Sequence, residues 1–167
     1  MTDVPSIETR DVQPYVGITR FVTMQTMMEV VEQHRKVFGW LAARGVEPAG
    51  APFFRYHTID MARELEVEAG VPVPHGSAIP ASDEDVKAGV LPAGRYATVG
   101  HVGHPDELVQ ATADLLAWAQ DKGLRWDSEP SERGERWGAR LEFFDTDPAE
   151  EPDMTKWHTT LAFRLAD

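Results

Sequence analysis

The chain has 167 residues, 42% hydrophobic and 26% charged, with a formal net charge of −12 and no cysteine. That charge repels phosphate backbones, so direct nucleic-acid binding is not expected. The missing cysteines exclude disulfides, thiol nucleophiles and thiolate metal sites. No apolar run reaches ~18 residues, so no membrane span is expected. The start, Met1 to Glu8, is acidic and polar, unlike a signal peptide. The expected setting is the cytoplasm.

Residues 1–11 read as a loose lead-in to a single domain over 12–167. Gln13 to Arg20 alternates as a strand. Met24, Met27, Met28, Val31, Phe38 and Leu41 then recur at helical spacing, which predicts a helix over 23–44 stopped by Gly45. The methionines fit either core or a pliable ligand wall. Phe53 to Ile59 is a strand. From Glu64 to Val71 acids alternate with apolar residues, so Leu65, Val67, Ala69 and Val71 share one face and Glu64, Glu66 and Glu68 the other. Residues 72–92, rich in proline with an acidic run, read as a linker.

The second half repeats the order. Gly94 to His101 is a strand. Pro105 opens a helix over 105–122 that Gly123 ends. A loop over 124–137 precedes a strand carrying Glu142 among Leu141, Phe143 and Phe144, and Lys156 to Leu165 is the last strand. The halves, about 12–73 and 94–165, both run strand–helix–strand–strand. The expected fold is α+β: duplicated units forming an antiparallel sheet, with helices on one face and a ligand cleft.

Glu142 is the centre of the expected chemistry. A carboxylate among apolar neighbours must find a partner, shift its pKa or face a cavity. It faces a ligand groove, or it lies on the wet side of a half-buried strand. Strand parity places Glu142, Phe144, Arg140, His158 and Thr160 on the face away from the helices, together with Glu68. Tyr56 and His57 come from the strand that lines up with the Glu142 strand. Carboxylates among aromatics suit a flat, apolar, cationic molecule. Trp137 either joins that cleft or plugs an end of the fold. His101 and His104 are the only close histidines, too weak a pair for a metal site. No cofactor is expected.

Gly50–Asp60, Glu66–Val73, Leu91–Ala97 and His101–Leu108, in that order, resemble the GyrI-like family. That family is similar to the effector-binding domains of AraC- and MerR-type regulators. Leu141–Pro148 matches its C-terminal acidic strand, and the resemblance covers about residues 12–165. It implies two strand–helix–strand–strand units around a pocket for amphipathic small molecules, with Glu142 as the pocket glutamate. A second family glutamate, in the final strand, is replaced by Thr160. No helix–turn–helix fits before residue 12, so the resemblance implies a stand-alone multidrug-type binder, monomeric or homodimeric. Some members instead hydrolyse cyclopropane-bearing DNA-alkylating natural products. Inhibition of a partner such as gyrase rests on fold analogy alone.

Overall fold

Two glycines set the frame. Gly45 and Gly123 have φ of 68° and 70°. Past each, an N–H reaches back to close the helix end: Val46 to the Leu41 carbonyl at 3.1 Å, and Leu124 to that of Ala119 at 3.0 Å. A residue without a Cβ adopts this left-handed turn at no steric cost. The computed structural model of the protein describes residues 1–80 and 82–167. Each stop closes the helical part of one unit. The first unit holds β2 (Gln13–Val22), α1 (Met28–Val31), α2 (Gln33–Ala43), β3 (Phe53–Ile59) and β4 (Leu65–Pro72). The second holds β7 (Gly94–Val102), α3 (Leu108–Asp121), β10 (Arg140–Phe144) and β11 (His158–Arg164).

The core strand order is β7-β11-β10-β3-β4-β2, antiparallel throughout. Each unit has its first strand outside, its last in the middle and its second at the join, so the two are related by a pseudo-twofold between β3 and β10. Two further strands exchange units. β1 (Ser6–Arg10) precedes β2 yet pairs with β7, and β6 (Val86–Leu91) precedes β7 yet pairs with β2. Only Asp11–Val12 and Pro92–Ala93 make these crossings, so the two ends of the sheet must lie close. The sheet is therefore curled into a half-barrel, with the right-handed twist of strands helping the closure.

Residues paired across strands share a face. The register Ala69–Phe54–Glu142–Leu161–Val99 thus marks one side of the sheet. On this side Val16, Ile18 and Val71 pack under Val37 and Leu41 of α2. Leu161, Phe163 and Val99 pack under Ala111 and Leu115 of α3. Both helices therefore cover the same, convex face. Inside the curl lie Tyr15, Phe53, Tyr96, Leu141 and Ala162. Gly70 makes room there: a Cβ on it would come within 2.5 Å of the Phe53 ring.

The structure corrects four expectations about elements. Residues 6–10 are strand β1, not a loose lead-in, because the β7 edge offers a hydrogen-bonding partner far away in sequence. The predicted linker carries β6, and a two-residue β5 (Ser82–Asp83) pairs with it; residue 81 lies outside the described residues. The predicted helix over 23–44 begins late and breaks at Glu32. At its start the Thr26 hydroxyl accepts from the Thr23 N–H at 2.8 Å, a side-chain turn that competes with helix. The predicted loop 124–137 contains a hairpin of β8 (Ser128–Ser131) and β9 (Gly134–Trp137), and β9 pairs with β3 beyond the end of β10.

Candidate functional site

The helices leave the join of the sheet between them. α1 and α2 lie over β2 and β4, while α3 lies over β7 and β11. β3 and β10 run between the two layers, and side chains on their convex face line the strip between them, the candidate groove. From β3 come Phe54 and Tyr56; from β10 come Arg140, Glu142 and Phe144. One wall is His34 of α2, whose ring stacks on Phe54 at 5.3 Å and 7° and meets Phe144 edge-on at 5.9 Å. Phe54 contacts Phe144 and Tyr56, also edge-on, at 4.9 and 6.3 Å. Met27 packs against the same cluster, whereas Met24 and Met28 are exposed.

Glu142 is half-buried in this aromatic setting. Tyr56 donates its hydroxyl to Glu142 Oε2 at 3.3 Å, and among the described residues no ion pair reaches the carboxylate. Burial pushes its pKa up to about 7, against smaller opposing pulls from the Tyr56 hydrogen bond and the Arg140 charge. The same burial, with the Glu142 charge adding to it, drives the Tyr56 pKa well up. Arg140 lies over the Trp137 and Phe163 rings at 4.9 and 4.7 Å. Loss of hydration lowers its pKa. His34 hydrogen-bonds the Phe53 carbonyl at 2.9 Å, and burial lowers its pKa, which favours the neutral ring.

The predicted site residues divide between the two faces. Tyr56, Glu142 and Phe144 meet in the groove. Trp137 is buried against Trp126 and Phe163 near its α3 side. The other four are elsewhere. Inside the curl, Glu68 accepts from the Tyr15 hydroxyl at 2.6 Å and pairs with His57 Nε2 at 2.8 Å. His158 Nδ1 and the Thr160 hydroxyl both meet Asp145 Oδ2, at 2.7 and 2.6 Å. The shared face assumed for Glu142, Glu68, His158 and Thr160 is therefore corrected. Glu142 pairs with Leu161, a residue under α3, so it belongs to the helix side. Thr160 pairs with Phe143 and points the other way; Thr159, opposite Phe144, is the β11 threonine on the groove face. His34 was not anticipated, although it continues the Val30, Val37, Leu41 stripe of the buried helix face.

A curled antiparallel sheet with two helix layers flanking an aromatic, acid-bearing groove defines a small-molecule-binding class of α+β domain. The chain belongs to the GyrI-like small molecule binding domain family, whose model matches residues 4–135 and so ends before Glu142. No curated protein matches significantly. Among solved structures, the EcmrR C-terminal domain aligns at a TM-score of 0.74 and 16% identity, over 98% of both chains. The chain spans 57% of the EcmrR chain in a structure of its DNA complex. SAV2435 bound to tetraphenylphosphonium aligns at 0.62 and 9% identity, over 98% of this chain and 94% of that one. A hydrolase from Listeria innocua aligns at 0.60 and 13%, over 97% and 91%. At these identities the likenesses establish the fold alone. No helix among the described residues is long and apolar enough to cross a membrane.

Proposed function

We propose that the groove between the helix layers binds amphipathic, aromatic organic cations, and that the protein is a multidrug-type binder acting in the cytoplasm without contacting DNA. One observation carries this reading: a half-buried carboxylate held by one tyrosine within an aromatic cluster. Aromatic faces attract cations, and a carboxylate without an ion pair gains most when a ligand brings one. Arg140 opposes a second cation, but its guanidinium is already placed over Trp137 and Phe163. The tetraphenylphosphonium held by the similarly folded SAV2435 supplies a probe.

The test is the pH dependence of tetraphenylphosphonium affinity. Glu142 titrates near 7 because burial penalises its charge, and a bound cation favours the ionised form. Affinity should be greatest at about pH 8 and weaken by up to ~10-fold per pH unit as Glu142 protonates. Neutral triphenylphosphine oxide should show no such trend. A tetraphenylphosphonium affinity that stays flat down to about pH 5 would remove Glu142 from the site.

A second reading is hydrolysis of cyclopropane-bearing alkylating compounds. A carboxyl with a pKa of about 7 beside a tyrosine hydroxyl is placed to exchange protons at neutral pH, which favours general acid–base chemistry. Binding remains first, because the second acid expected from the family is absent from position 160 and Thr160 points away from the groove.

A further inference from the structure

We propose that a cavity of about 600 Å³ on the opposite side of the sheet is a second binding site, taking a small molecule that bears an oxyanion such as a carboxylate. The cavity lies between the β8–β9 hairpin and strands β3 and β4. Arg55, His57, Arg133, Arg136 and Trp137 line it, as do Glu66 and Glu132. The hairpin is held over the sheet by Arg133 above the Phe21 ring at 4.9 Å and by Arg63 donating to the Glu132 carbonyl at 3.1 Å.

Three observations point to an anion. The first is an unspent donor. Arg55 Nε is buried with no acceptor. A buried N–H left unpaired is costly, so one along the cavity marks a place for an acceptor. The second is unpaired charge. In a chain of net charge −12, no carboxylate pairs with Arg55, Arg133 or Arg136 among the described residues, even though two acids line the same cavity. The Glu68 carboxylate is occupied by Tyr15 and His57. The third is preorganisation. Arg55 is fixed by hydrogen bonds to the Tyr15 hydroxyl at 3.0 Å, the Val90 carbonyl at 3.1 Å and the Gly138 carbonyl at 2.8 Å. A planar guanidinium held in place favours oxyanions. Arg136 pairs with Thr58, a residue on the Glu66 side of β3 and β4, so it stands away from the Glu142 groove. The site does not depend on what that groove binds.

Titrating benzoate, and separately inorganic phosphate, while following the arginine Nε–H signals by NMR tests this. Arg55→Lys assigns the relevant signal. Saturable movement of the Arg55 signal by either anion is expected, and the choice between them tells a carboxylate site from a phosphate site. The exposed Arg136, changed to Gln, should weaken that anion roughly tenfold or more, the scale of a charge-assisted hydrogen bond. Saturating tetraphenylphosphonium should leave anion binding in place. An Arg55 signal that neither anion moves would overturn the proposal. So would equal affinity in Arg136→Gln, or displacement of the anion by tetraphenylphosphonium.

Discussion

Glu142→Gln is expected to weaken tetraphenylphosphonium binding by about 1–3 kcal/mol, the range for a hydrogen bond to a charged group, and to leave triphenylphosphine oxide nearly unaffected. The same change should stabilise the protein at high pH. The folded pKa of about 7 lies above the unfolded value of 4.5, so the wild type loses stability as pH rises between them. Below about pH 4.5 the carboxyl is protonated in both states and the glutamine changes little. Above about pH 7 the variant should be more stable by up to ~3 kcal/mol, at about 1.4 kcal/mol for each pKa unit. Isothermal calorimetry and urea unfolding at the two ends of this window measure both effects. If the protein hydrolyses a cyclopropane-bearing substrate, the variant should bind it and turn it over about 10²–10⁴-fold more slowly. Unchanged cation affinity with unchanged stability would place the carboxylate on a solvated surface.

Phe53→Ala is expected to cost about 3–5 kcal/mol, because Phe53 is fully buried inside the curl and the cavity it leaves cannot collapse against paired strands. Its ring meets Tyr15 at 5.1 Å edge-on and Phe143 at 5.4 Å, and it occupies the space Gly70 leaves open. Gly70→Ala alone should therefore destabilise by about 1–3 kcal/mol through overpacking. Combined with Phe53→Leu, the Gly70 change should cost less than it does alone, since the smaller side chain frees space for the added methyl. Urea unfolding of the four proteins gives the coupling directly. Additive losses would mean that the two residues do not touch and that the β3–β4 register is different.

The repeat was readable because its signals are local. Gly45 and Gly123 mark helix ends, and alternation over Leu65–Val71 marks a buried face. The face of Glu142 was not readable, because parity within β10 is local but its relation to β11 depends on register. A shift of one residue turns every side chain over. Pairing Glu142 with Leu161 rather than with Thr160 is what carries it to the helix side. Tyr56 and Glu142 meet only because the second strand of each unit lies at the join, a property of strand order. The β1 and β6 exchanges were hidden for the same reason: their partners are distant in sequence, and short polar edge strands resemble loops. His34 lay in view on an apolar helix stripe, but only the packed structure brings Phe54 and Phe144 to it.

Tetraphenylphosphonium and tetraphenylborate share one shape and carry opposite charges. The aromatic groove contacts both equally, so any difference in their affinity reports the charge at its floor. At about pH 8, where Glu142 is ionised, the cation should bind more tightly than the anion by tenfold or more, about 1.4 kcal/mol. That gap should narrow in Glu142→Gln and as pH falls below about 7. Equal or tighter binding of tetraphenylborate to the wild type at about pH 8 would contradict a cation-selective groove built on Glu142.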